Sequence, residues 1–345
     1  MWRKVIDVKE PTSKLSETLE QILAWRKANH SILPGGFTSR KVYLDKHRFN
    51  LFYSEPRHLR RNTVLLQQYG IIDPGSPKYY EYPAPELNNK QLKIISEKDY
   101  QFLTPKEQFQ TNRACFINPN ELTTSVYLSG YKGAPQKFSI GANFAPLGHN
   151  HFVAWTVPQE SADGELTLRQ AYQGINQLYW IDDLLTKLND PEYRLFFSAI
   201  GAGATSYTQH YQFLQEKFPA FAHLSYYYPN SGSEIIYTSK HAWPFNGFLA
   251  RYDSQSKETV LTGLTRLIKH WLRQKPNNTF NLLAQLRPDG TREIYFAKRK
   301  YGLNYMQGMS NMFGGYEVAG NIVMEDPREY QSFPGKVRYL AWEHR

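Results

Sequence analysis

The sequence predicts an α+β fold, and three observations carry that expectation. Short apolar runs bounded by turn residues alternate with longer stretches whose apolar residues recur at helical spacing. The order strand, helix, strand appears once before residue 240 and again after it, which suits sequential antiparallel strands with helices gathered on one face. The 345 residues are 41% apolar and 15% aromatic, enough for a sizeable core without a disulfide framework, since Cys115 is the one cysteine.

Residues 13–28 read as an amphipathic helix with Leu15, Leu19, Ile22 and Leu23 as its stripe. Thr12 or Ser13 can cap it, and Pro34-Gly35-Gly36 ends it. Lys46 to Arg48, Arg57, Arg60 and Arg61 surround the apolar run Phe49 to Tyr53. That basic region is either a solvated face or a clamp for phosphate or substrate. Residues 73–92, rich in Pro, Tyr and Asn, read as a surface loop, and Cys115 as a small buried residue.

Lys137 to Pro158 reads as two strands joined by a turn. His149 and His151 stand two apart, a spacing that metal sites use, but no third ligand accompanies them. A structural role for His151 at the strand start is the simpler expectation. Leu166 to Leu188 reads as a long helix burying Ala171, Ile175, Leu178, Leu185 and Leu188. In the second half, Trp243 to Arg251 is a strand entry and Val260 to Leu272 a helix. Phe280 to Leu286 and Arg292 to Lys298 then form strands around a Pro288-Asp289-Gly290 turn. The expected organisation is an N-terminal extension over 1–100, a first half over 101–240 and a second, degenerate half over 241–345.

The most informative stretch is Leu195 to Leu214. An apolar run, Leu195 to Ile200, leads into a loop of small residues, Gly201 to Ser206. Such a loop lets the backbone approach a ligand, and its successive N–H groups can form an anion nest. On the following strand, Thr208, His210, Gln212 and Leu214 share one face. A His and a Gln thus project together beside a loop suited to phosphate. An imidazole can attack phosphorus there while the amide donates to a non-bridging oxygen.

This segment resembles the active-site strand of the histidine-triad superfamily, in the branch that holds galactose-1-phosphate uridylyltransferase, diadenosine tetraphosphate phosphorylase and GDP-L-galactose phosphorylase. Their motif is His-x-His-x-Gln after a small-residue loop. Aligned on Gln212, His210 takes the nucleophile's place and Thr208 stands where the first His is found. Gly203-Ala204-Thr205 falls on the family's Gly-x-Ser. Asn143 and Pro146 match an Asn-x-x-Pro pattern that lines the nucleotide in relatives. Residues 108–119 are similar to an Arg-x-Cys-Phe entry segment of phosphorylase-like relatives, with Asn118 where a second Cys can stand. Asn311 to Gly320 resembles a late Phe-x-Gly-Tyr-Glu segment, although Asn311 and Met312 replace the Lys that precedes it in relatives.

The resemblance implies a duplicated histidine-triad-like fold, pseudo-dimeric within one chain, with an antiparallel sheet, helices packed on it and the catalytic His only in the first copy. It implies nucleotidyl transfer or phosphorolysis through a covalent nucleotidyl-histidine on His210, with Gln212 assisting. Asn143, Gly203, Thr205, Ser206 and Thr208 are the expected nucleotide and phosphate contacts, joined by Lys298, Arg299 and Lys300 at the end of the last strand. Tyr316 and Glu317 are expected to meet the substrate's sugar, or else to pack and to charge a helix N-terminus. Expected substrates are a nucleotide sugar or a dinucleoside polyphosphate, with inorganic phosphate or a sugar phosphate as acceptor. No cofactor is expected beyond a divalent cation carried with the nucleotide. No structural zinc is expected, because the Cys pair and the first triad His that hold it in relatives are missing.

The formal charge of +10 and the 25 tyrosines suit either plain solubility or an anionic partner. The alternatives to the enzyme are a nucleotide-binding protein altered by Thr208 and a nucleic-acid-binding protein, although no nucleic-acid motif is found. A homodimer is admitted. The first residues lack a signal peptide's apolar core and no run reaches membrane-spanning length, so a cytoplasmic protein is expected.

Overall fold

The computed structural model describes residues 5–7, 13–28, 35–44, 46–60, 123–143, 146–156, 159–161, 164–166, 170–200, 202–204, 209–229, 234–300 and 314–337. Cys115 and its segment, Arg61, the 73–92 stretch, Thr205, Ser206, Thr208, Asn311 and Met312 lie outside them. In chain order the first elements are β1 (Val5–Asp7), α1 (Ser13–Ala28), β2 (Phe37–Leu44), β3 (His47–Ser54) and α2 (Glu55–Arg60). Then come β4 (Thr123–Ser129), β5 (Pro135–Ala142), β6 (Phe152–Thr156), β7 (Gln159–Ser161), β8 (Gly164–Leu166) and α3 (Ile175–Leu188). β9 (Arg194–Ser198), β10 (His210–Leu214), α4 (Pro219–Tyr227), β11 (Glu234–Thr238), β12 (Gly247–Tyr252) and α5 (Lys257–Gln274) follow. The last are β13 (Asn278–Leu286), β14 (Arg292–Lys300), α6 (Gly315–Val318), β15 (Asn321–Met324), α7 (Pro327–Ser332) and β16 (Lys336–Val337).

One ten-stranded sheet has the order β1-β4-β5-β6-β10-β9-β13-β14-β12-β11. Every neighbour pair is antiparallel except β1 with β4. About the β9–β13 pair the order repeats: β6-β10-β9 on one flank answers β12-β14-β13 on the other. In each half a long helix, α3 or α5, precedes the strand that meets its counterpart at the seam. This is the duplicated, pseudo-dimeric α+β arrangement.

Strand alternation divides the core in two. On one face α1, α3 and α5 bury Leu19, Leu178, Ile181, Leu264 and Ile268 against Phe197, Tyr211, Phe213 and Phe296 of the sheet. The other face is covered chiefly by a second sheet, β15-β3-β2-β16, with α4 and α6. There Phe49 stacks on Trp243 at 4.8 Å, and Phe196, Leu214, Tyr295 and Tyr316 fill the interior. Each fully buried side chain of this size stabilises by about 1.5–3 kcal/mol. The run around Phe49 is therefore a strand: Phe49 and Leu51 are buried and Arg48 is exposed between buried neighbours. No described helix is long and apolar enough to cross a membrane.

The expected helix over 166–188 is shorter than its periodicity suggested. Leu166 ends β8, and the helix begins only at Ile175. Gly174 sits at φ 70°, a left-handed turn that a helix cannot continue through. Gln170 is fully buried but faces strand backbone rather than a helical turn.

The sheet tolerates no side chain at Gly247. A Cβ there would lie 2.0 Å from the Phe296 carbonyl oxygen. Gly247→Ala is expected to destabilise the protein by about 3 kcal/mol, the upper end for overpacking. Chemical denaturation of the full chain checks this, and an unchanged midpoint would refute it.

Candidate functional site

The candidate site begins with the alternation along β10. Tyr211 and Phe213 point into the helix-side core, so His210, Gln212 and Leu214 point to the opposite face. Gln212 pairs with Phe196 across β9, and the same register would next set Ser198 opposite His210. The amide of Gln170 stands between them instead. Its Oε1 accepts from the His210 N–H at 2.6 Å, and its Nε2 donates to the Ser198 carbonyl at 2.8 Å and the His210 carbonyl at 3.2 Å. Two strands are thus held apart at the candidate nucleophile while their buried backbone groups stay hydrogen-bonded. The His210 side chain itself is buried.

His151 approaches the same face from the start of β6. Its backbone precedes Phe152, which pairs with Phe213, so the ring lies diagonal to Gln212. The Leu147 N–H donates to His151 Nδ1 at 3.0 Å, which makes Nδ1 an acceptor. Nε2 therefore carries the proton and donates to Gln212 Oε1 at 3.0 Å. Burial, assisted by the positive charge of Arg57, lowers the His151 pKa to about 3. The ring is neutral at ordinary pH.

Across the seam, β13 and β14 supply the opposite wall. Asn281 of β13 faces Ser198, donates to the Ala202 carbonyl at 2.9 Å and accepts from Arg299 Nη1 at 2.7 Å. Thr279 donates to the Ile200 carbonyl at 2.7 Å. These bonds hold the start of the small-residue loop, where Gly203 adopts φ 92°. Ser198 Oγ accepts from the Gly315 N–H at 2.8 Å, so the start of α6 closes over β9. A Cβ on Gly315 would lie 2.9 Å from Phe196 Cδ2 and 3.1 Å from Ser198 Oγ, so the start of α6 is packed tightly on β9.

Glu317 Oε2 accepts from the Gly314 N–H at 2.7 Å and caps α6. Burial raises the carboxyl to about 7, against the opposing pull of that N–H and of Arg57 and Arg299. Arg57, from α2, also pairs with Glu325 at 3.5 Å.

Of the sequence-predicted residues, His210, Gln212, Gly203 and Arg299 gather on this face with Glu317. Asn143 donates its N–H to the His151 carbonyl at 2.8 Å, at the end of β5. Thr205, Ser206 and Thr208 lie outside the described residues. The basic trio 298–300 does not act as one clamp, because strand alternation splits it. Arg299 faces Asn281, whereas Lys298 lies on the other face, its Nζ 4.9 Å from the Tyr237 ring, 4.5 Å from Phe248 and 5.1 Å from Trp271. Lys300 is exposed at the strand end and follows Lys298 in the alternation. Tyr316 is a core residue rather than a sugar contact: its ring packs among Phe52, Phe196 and Phe218 and is 1% exposed.

His149 and His151 diverge. His149 is exposed on Glu216 at 2.5 Å, and among the described residues no three metal-ligating side chains converge. The sequence reading missed Gln170, Ser198 and Asn281, and it recognised Arg57 only as part of a basic region. For Ser198 and Asn281 the available signal was a polar residue inside an apolar run; Gln170 and Arg57 stand in polar surroundings that carry no such signal.

Glu317 has a pH consequence. Its pKa is higher in the folded chain than the 4.5 it has as a free side chain. The folded state therefore binds more protons between pH 4.5 and about 7, and stability falls as pH rises through that window. Glu317→Gln keeps the capping acceptor and is expected to flatten that fall in a series of thermal melts. An identical slope in variant and parent would refute the assignment.

Solved structures of one enzyme share this architecture. The complex of yeast Ap4A phosphorylase Apa2 with Ap4A matches with a TM-score of 0.55 at 13% identity, over 92% of this chain and 91% of that one. The complex of the same enzyme with AMP matches with 0.52 at 13%, over 93% and 91%, and Apa2 alone with 0.52 at 14%, over 92% and 88%. No family model and no curated protein matches the sequence. The chain has the duplicated α+β fold seen in Apa2.

Proposed function

We propose that the chain transfers nucleotidyl groups through a covalent intermediate on His210, taking them from a dinucleoside polyphosphate or a nucleotide sugar. The observation that carries this reading is the pairing of His210 with Gln212 on one face of β10, at the place where Gln170 parts β10 from β9. The fold shared with a phosphorylase whose structures hold Ap4A and AMP favours the dinucleoside polyphosphate.

In the first step an imidazole nitrogen of His210 attacks the α-phosphorus. The N–P bond forms, the P–O bond to the rest of the substrate breaks, and the leaving phosphate takes the electron pair. In the second step an oxygen of inorganic phosphate or of a sugar phosphate attacks the same phosphorus, and the P–N pair returns to the ring. The Gln212 amide and the loop around Gly203 offer N–H donors to the phosphoryl oxygens as charge grows on them. Arg299 and Arg57 supply positive charge on the same side of the sheet. No cofactor enters beyond a divalent cation carried with the nucleotide.

A second reading, a nucleotide-binding protein without turnover, rests on Thr208, which stands where the triad's first His is found in relatives. One experiment separates the two. Isotopically marked Ap4A and nucleotide sugars are incubated with the full chain, and acid-labile label on protein is measured. The transfer reading expects label on the parent chain, none on His210→Ala, and labelling slowed by about 10²-fold or more in Gln212→Ala. Saturable binding with no label would favour the second reading and end the first.

A further inference from the structure

We propose that His151 is the positioning residue for Gln212: it holds the amide's carbonyl oxygen, so that the NH₂ end is the group offered to a phosphoryl oxygen at His210. This rests on the nucleotidyl-transfer reading above and adds to it a residue with its own role.

An amide side chain can present either end to a ligand. Here the choice is removed by a chain of hydrogen bonds with one possible polarity. The Leu147 backbone N–H can only donate, so His151 Nδ1 accepts at 3.0 Å. A neutral ring that accepts at one nitrogen must donate from the other, so His151 Nε2–H donates to Gln212 Oε1 at 3.0 Å. With Oε1 engaged, the amide offers donors.

The ring is also held in place. It is 2% exposed and lies against Phe196 at a centroid distance of 6.3 Å. The nearby positive charge of Arg57 opposes its protonation, and an added proton on Nδ1 would meet the Leu147 N–H head-on. Gln212 therefore keeps its polarity across the whole pH range in which nucleotides are handled. Substrate selection follows. The position favours a group that brings lone pairs, as a phosphoryl oxygen does, because the NH₂ end is turned toward it while Oε1 is turned to His151.

The test has two independent parts. Nitrogen NMR of His151 in the full chain is expected to show a neutral ring with its proton on Nε2 from about pH 5 to about pH 9. In His151→Phe the Gln212 side-chain NH₂ signals should shift and their hydrogens exchange faster. An Nδ1–H tautomer, titration within that range or an unmoved Gln212 signal overturns the proposal.

The second part is single-turnover labelling of His210 by marked Ap4A. His151→Phe should slow labelling by about 10²-fold, with binding of Ap4A changed far less. His151→Gln, which restores a donor to Oε1, should recover part of the rate. It also serves if the Phe variant fails to fold. Adding His151→Phe to Gln212→Ala should slow labelling no further, because the two residues act as one unit. Full-rate labelling in His151→Phe, or losses that multiply, refute the proposal. If the parent chain takes no label, the transfer reading fails, and the NMR result alone decides whether His151 sets Gln212.

Discussion

The pairing of β9 with β13 is the constraint on which the molecule depends. Each half of the chain ends its own sheet on a strand with one unpaired edge. A row of unpaired N–H and C=O groups costs stability and invites pairing with another chain. The antiparallel ladder from Ser198↔Asn281 to Arg194↔Gln285 satisfies both edges at once and turns two short sheets into one of ten strands. It also sets what faces what. Because Asn281 lies opposite Ser198, the polar end of β13 meets the loop after β9. Arg299, paired through Asn281, then reaches the side of the sheet that carries His210.

Around that seam several buried polar groups of the site have determinate partners. Gln170 replaces the ladder bonds that β9 and β10 would otherwise make at His210, His151 fixes Gln212, and Ser198 receives the start of α6. A low-dielectric surrounding makes such bonds strong and makes their loss costly. It also moves the ionisable groups in opposite directions. Burial keeps His151 neutral and pushes Glu317 toward its protonated form. The sheet face carrying His210 therefore holds the guanidinium groups of Arg57 and Arg299 and several N–H donors, while Glu317 carries only part of its charge near neutrality and Glu325 is paired with Arg57.

The N-terminal elements complete both cores. α1 adds Leu15, Leu19 and Ile22 beneath the sheet, and the β2–β3 hairpin lays Phe49 and Leu51 over its other face. The turn from β3 into α2 then delivers Arg57 to the neighbourhood of His151 and Glu317. A region whose composition reads as a basic surface thus contributes both a structural layer and a charge at the site.

Local pattern alone determined a good part of this protein. The period-2 face of 208–214 placed His210 with Gln212, and the stripes of α1 and α5 marked their buried sides. The recurring order of elements announced the duplication. Three decisions came only from the tertiary structure, because each depends on a partner distant in sequence. The alternation of β14 had to be phased against β13 before Arg299 could be told from Lys298 and Lys300. Tyr316 became a core residue only when Phe52, Phe196 and Phe218 closed around it. The helical periodicity of 166–188 yielded to Gln170, whose amide is held by strand backbone between 28 and 40 residues away. Periodicity reports which side of an element is apolar. Which buried donor meets which acceptor is settled only when the chain has brought them together.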